Sequence, residues 1–169
     1  NILSSDSFFM WIVADQIVEE MQKNNGLIDH DDLESYRSVW RKPVVFPYKK
    51  YNIITMGPPS SGGIVLAQLM KMTSFFDVAE MGFHSHSSIH LMSEIERRAF
   101  ADRSKYLGDP DFYDIPQDQL LDSIYLIKRV NNINLSHATP SDSIYPGELI
   151  LEESDETTHF SIVDEDGNA

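Results

Sequence analysis

The run Thr158-His159-Phe160-Ser161-Ile162-Val163, followed by Asp166-Gly167, constrains the fold more than any other stretch. Phe160 and Ile162 alternate with His159 and Ser161, so a strand would put the apolar pair on one face and the polar pair on the other. Asp-Gly is a strong two-residue hairpin turn. A hairpin needs a return strand, yet only Asn168 and Ala169 follow. The expectation is that more chain completes this strand, and that these 169 residues are a segment of something larger.

Upstream, the patterning is mostly helical. Ser5-Asp6-Ser7 offers caps ahead of Phe8, Trp11, Ile12, Ile17, Val18 and Met21, which recur at helical spacing, and Asn24-Asn25-Gly26 is a stop signal. A shorter helix is predicted from Asp29, with Asp32 at the capping-box position and Leu33 and Tyr36 as its apolar stripe. Val44-Val45-Phe46 and Tyr51 to Met56 read as a strand pair around a Pro47-Tyr48-Lys49-Lys50 turn. Gly57 to Gly63 punctuates the chain before a helix carrying Ile64, Leu66, Leu69, Met70 and Met72. A long helix is predicted to end at Tyr106, capped by Gly108 and stopped by Pro110. A last one is predicted from Gln117 to Val130 with Leu120, Leu121, Ile124, Ile127 and Val130 as its stripe. Residues 136–156 read as an extended, exposed and flexible connector, broken by Pro140, Pro146 and Gly147 and charged at its end by Glu152, Glu153, Asp155 and Glu156.

Several residues invite a chemical reading. Ser60-Ser61-Gly62-Gly63 before a helix could hold a phosphate, but no Lys follows the glycines, which favours a tight turn with a cap. His86, His90 and Glu94 stand at successive i, i+4 positions, a spacing that could ligate zinc. With no His-Glu-x-x-His pattern, the favoured reading of His84, His86 and His90 is an exposed start of a helix. Asp102 and Arg103 read as buried or bridging polar contacts, with acid–base work by Asp102 the alternative.

Bulk properties remove other classes. A net charge of −14 opposes binding to nucleic acid or an anionic membrane. The absence of cysteine removes disulfides and thiolate nucleophiles or ligands. No apolar run approaches the ~20 residues that cross a bilayer.

Three motifs carry a resemblance. They are Pro58-Pro59-Ser60-Ser61-Gly62-Gly63, then Ala101-Asp102-Arg103-Ser104-Lys105-Tyr106-Leu107-Gly108-Asp109-Pro110-Asp111-Phe112, and Thr157-Thr158-His159-Phe160 running on to Asp164 and Asp166-Gly167-Asn168-Ala169. In this order they resemble the gamma-glutamyltransferases (gamma-glutamyltranspeptidases), which are N-terminal-nucleophile hydrolases. The segment from Gly26 to Tyr36 matches the family too, whereas Trp11 stands where the family usually has Gly.

The resemblance implies an α+β fold, with this chain a mostly helical segment of an α-β-β-α sandwich. Residues 1–156 would be the C-terminal part of a large-subunit-like region and 157–169 the start of a small-subunit-like region. It implies self-cleavage at the Glu156–Thr157 bond and Thr157 as catalytic nucleophile. It also implies γ-glutamyl compounds such as glutathione as substrates, water or an amino acid or peptide as acceptor, and the remainder of the same precursor as partner. No metal or cofactor is implied; the location would be periplasmic or extracellular. The family's substrate-binding residues fall outside this chain, so none is assigned. A related acylase of cephalosporin or glutaryl type and a non-catalytic structural fragment are the alternatives.

Overall fold

The computed structural model describes residues 12–149, in two units that divide between Arg41 and Lys42. In the first, helix α1 (Ile12–Lys23) buries Ala14 and Val18, and α2 (His30–Ser35) buries Leu33 against them. The stop signal works as expected: Met21 O accepts the N–H groups of Asn24 and Gly26, and Asn25 between them takes a positive φ of 55°. The capping box is also present. Asp29 Oδ1 accepts from the Asp32 N–H at 3.0 Å, and Asp32 Oδ2 accepts from the Asp29 N–H at 3.1 Å. Tyr36, by contrast, is the C-cap and is exposed, because the helix ends before its side chain can turn inward.

The second unit begins with an antiparallel hairpin, β1 (Val44–Tyr48) and β2 (Tyr51–Thr55). The turn is shorter than expected. Pro47 and Tyr48 pair with Asn52 and Tyr51, leaving Lys49-Lys50 as a two-residue loop. Lys49 supplies the positive φ, 52°, that such loops demand. Val44 and Phe46 point into the core.

Helix α3 (Gly62–Thr73) is the hub, packing against β1 and three later helices, with Ile64, Ala67 and Met72 fully buried. Its N-terminus abuts the strand end so closely that a Cβ on Gly63 would lie 1.9 Å from the Met56 carbonyl oxygen. Gly63 is therefore needed for close approach. Ser60 Oγ accepts the Gly62 N–H, while Ser61 makes no capping bond.

After α4 (Val78–Met81), the 21-residue α5 (His86–Tyr106) lays Leu91, Ile95 and Ala99 on α3. It ends on Leu107, whose extended backbone terminates the helix; Gly108 has no left-handed φ and is not the cap. The predicted helix from Gln117 to Val130 is two helices, α6 (Gln117–Leu120) and α7 (Ser123–Val130). Asp122 causes the break. Its carboxylate accepts the N–H groups of Ile124 and Tyr125, and its own backbone is extended. The restart turns the helix, so Tyr125, Leu126 and Val130 face inward while Ile124 and Ile127 are exposed. A single 3-10 turn (Ser141–Ser143) interrupts the strap that follows.

Candidate functional site

Glu94, Arg98, Asp102 and Tyr106 are spaced four apart on α5 and form one stripe, each no more than 2% exposed. A charged stripe without partners would be strongly destabilising. Each of these side chains has found one.

At one end, the Glu94 carboxylate accepts from Arg98 Nη1 at 2.6 Å and Arg97 Nη1 at 2.9 Å. It also accepts from the Thr139 hydroxyl at 2.6 Å and the Thr139 N–H at 3.0 Å. Burial pushes this carboxyl up, but the Thr139 hydroxyl, the Arg98 guanidinium and the Thr139 N–H outweigh it and hold the group at about 2. Arg98 also donates to Asn132 Oδ1 and to the Thr139 hydroxyl.

At the other end, Asp102 accepts from Arg129 Nη2 at 2.9 Å, Arg129 Nε at 3.1 Å, Gln68 Nε2 at 3.2 Å and the Gly147 N–H at 2.8 Å. The Tyr106 hydroxyl donates to the Gly147 carbonyl. A Cβ on Gly147 would lie 2.4 Å from the Tyr125 hydroxyl and 2.7 Å from Arg129 Cδ, so only glycine lets the strap come this close. Burial, and then the negative charge of Asp102, raise the Tyr125 phenol above its ordinary value.

Asp102 is thus a buried polar contact, as expected. Arg103 bridges, donating from Nε to Ser61 Oγ at 2.8 Å and so joining two of the three motifs. The histidines do not converge with Glu94 on a metal site. His84 stacks on Phe83, His86 is exposed, and His90 Nε2 lies 2.8 Å from the Asn134 carbonyl oxygen. The carboxylate of Glu94 is committed to Arg97, Arg98 and Thr139. Among the described residues, no three His, Cys, Asp or Glu side chains are placed to hold a metal.

The connector needs correction. Over residues 136–149 it is largely exposed, as expected, but it is pinned along α5 and not free. Sequence reasoning missed Glu94, Arg98, Gln68 and Arg129 as network members. The available signal was Glu94, Arg98 and Asp102 at i, i+4, i+8 beside the apolar Leu91, Ile95 and Ala99. Thr157, the Glu156–Thr157 bond, the predicted strand after it and Trp11 lie outside the described residues.

The sequence profile of the gamma-glutamyltranspeptidase family matches residues 4–169. The chain belongs to that family. It is 44% identical over 164 residues to the glutathione hydrolase proenzyme of Escherichia coli (strain K12), an alignment covering 97% of this chain and 28% of that relative. The chain therefore spans little more than a quarter of the length of such gamma-glutamyltranspeptidase relatives. Its fold is similar to the crystal structure of Helicobacter pylori gamma-glutamyltranspeptidase, with a TM-score of 0.76 and 41% identity, over 90% of this chain and 44% of that one. A cephalosporin acylase from Bacillus halodurans is more distant, at a TM-score of 0.62 and 26% identity over 76% of this chain and 24% of that one. The α+β, largely helical architecture is that of a segment of these N-terminal-nucleophile hydrolases.

Proposed function

We propose that this segment works within a self-processing precursor that becomes a glutathione hydrolase and γ-glutamyl transferase, with Thr157 as its nucleophile. The observation that carries this reading is the family match, whose span of residues 4–169 includes Thr157-Thr158-His159-Phe160. In the precursor the Thr157 hydroxyl attacks the Glu156 carbonyl. The acyl group moves from nitrogen to oxygen, and water opens the ester, freeing the Glu156 carboxylate and the Thr157 amine. That α-amino group, with a reference pKa of about 7.7–8.0, can then take the hydroxyl proton of the same residue.

In the mature enzyme Thr157 Oγ attacks the γ-glutamyl carbonyl. The amide C–N bond breaks, the leaving amine takes the proton, and a γ-glutamyl ester remains on Thr157. Water or the amine of an amino acid or peptide then attacks the ester, restoring the hydroxyl. Residues 1–156 would contribute the helical flank and 157–169 the nucleophile strand. Groups that recognise the substrate come from the remainder of the precursor, and secretion to the periplasm or exterior belongs to the same reading.

The test is Thr157→Ala in the full-length protein. It should leave an uncut precursor with no γ-glutamyl transfer from a γ-glutamyl anilide, whereas Thr157→Ser should keep reduced cleavage and turnover. N-terminal sequencing of the smaller wild-type product should read Thr157 first. A small chain beginning elsewhere, or normal cutting in Thr157→Ala, overturns the reading. Turnover of glutaryl amides in preference to γ-glutamyl anilide would move the activity to the acylase class.

A further inference from the structure

The buried stripe on α5 takes no part in the chemistry just proposed, yet all four of its residues grip one piece of chain. Glu94 and Arg98 hold Thr139; Asp102 and Tyr106 hold Gly147. From Glu94 to Tyr106 the helix rises about 18 Å. Thr139 lies at the Glu94 end and Gly147 at the Asp102 end, so the strap runs alongside α5 in the same direction. Three of the groups held are backbone: the Thr139 N–H, the Gly147 N–H and the Gly147 carbonyl. A grip on backbone, with the Thr139 hydroxyl held at one end and glycine required at the other, sets the register of the chain. Leu149, two residues on, packs against the core and continues the anchoring.

Beyond Gly147, ten residues lead to Thr157, a reach of at most about 35 Å. Glu156 and Thr157 are neighbours in the chain, so their mutual approach is local. An anchor ten residues upstream acts instead by limiting where that bond can lie relative to the rest of the precursor, a loop-closure cost already met once the strap is docked.

We infer that Glu94, Arg98, Asp102 and Tyr106 form a positioning clasp for self-cleavage, holding residues 139–147 in register so that the Glu156–Thr157 bond is presented for attack. This rests on Thr157 as the cleavage agent. The four are positioning residues, touching neither the scissile bond nor substrate. Their task is complete once the chain has parted, so the mature enzyme does not depend on them for turnover.

The test uses purified full-length precursor, following cutting over time by gel and mass spectrometry below every variant's melting temperature. Thr139→Val keeps the side-chain shape but removes the hydroxyl bonded to Glu94. It should be cut at least about five-fold more slowly than wild type. Thr139→Ser restores the hydroxyl and should recover to within about two-fold. Tyr106→Phe, which removes only the hydroxyl bonded to Gly147, should slow cutting as well and serves if Thr139→Val fails to fold. Ile64→Val, in the core of α3 and making none of the clasp's hydrogen bonds, should be cut normally despite a lowered melting temperature. Once cut, Thr139→Val should show kcat and KM for a γ-glutamyl anilide within about two-fold of wild type. Normal cutting in both Thr139→Val and Tyr106→Phe overturns the clasp. So does equally slow cutting in Ile64→Val, or a loss of kcat matching the loss of cutting rate. Thr157→Ala run alongside separates the two readings: if it stays intact while the clasp variants cut normally, only the clasp fails. If Thr157→Ala itself cuts, the assignment of Thr157 falls and the clasp with it.

Discussion

The Glu94 carboxylate accepts four hydrogen bonds, two of them from arginines and two from Thr139. Its consequence is acid sensitivity. The folded carboxyl sits at about 2 against an ordinary 4.5, so its stabilisation is complete above about pH 4.5 and is lost as pH falls toward 2. A depression of this size corresponds to about 3 kcal/mol. Thermal melts of the full-length protein between pH 5 and 2.5 should therefore fall more steeply for wild type than for Glu94→Gln, which cannot titrate. Parallel curves would show that Glu94 contributes nothing to acid unfolding. Asp102 was legible as a structural polar residue because it sits in a motif ending a helix. Glu94 and Arg98 were not, because a charge on a long helix ordinarily faces water. What buries them is a strap about forty residues further along, which local periodicity does not register.

At the scale of elements, the first helix stop, the capping box, the hairpin and the helix after the glycines could all be read from the sequence, each having a local cause within four residues. The break between α6 and α7 could not, because apolar residues recur at helical spacing straight across Asp122. There the capping geometry of one carboxylate overrides the hydrophobic pattern. Asp122→Ala removes the acceptor for two N–H groups and should cost about 1 kcal/mol, while Asp122→Asn should recover much of it. Urea denaturation of the three proteins measures this directly; an unchanged midpoint in Asp122→Ala would mean that α7 is held by packing alone. The short Lys49-Lys50 turn escaped notice for a related reason. Pro47 suggests a turn, yet its missing N–H is harmless in a strand with no neighbour on its other side among the described residues.

For the whole molecule, the family was carried by motifs, as is the proposal of Thr157 as nucleophile, whereas the described architecture supplies the piece that motifs omit, a strap bound to α5 across large separations in sequence. Glu94 meets Thr139, and Asp102 meets Gly147, at the same separation of 45 residues. Docking the strap thus closes a long loop through contacts that reward the chain only after α5 and α7 are in place. Both strap amides are sealed by a carboxylate on a single rigid helix, and neither can be released far without straining the other. They should behave as one cooperative opening unit. In hydrogen–deuterium exchange of the full-length protein, the Thr139 and Gly147 amides should share one protection factor, below that of α3, and lose it together in Thr139→Val. Independent exchange of the two would mean separate latches. A shared value below that of α3 would make the strap a single latch that opens while the core beneath it stays closed.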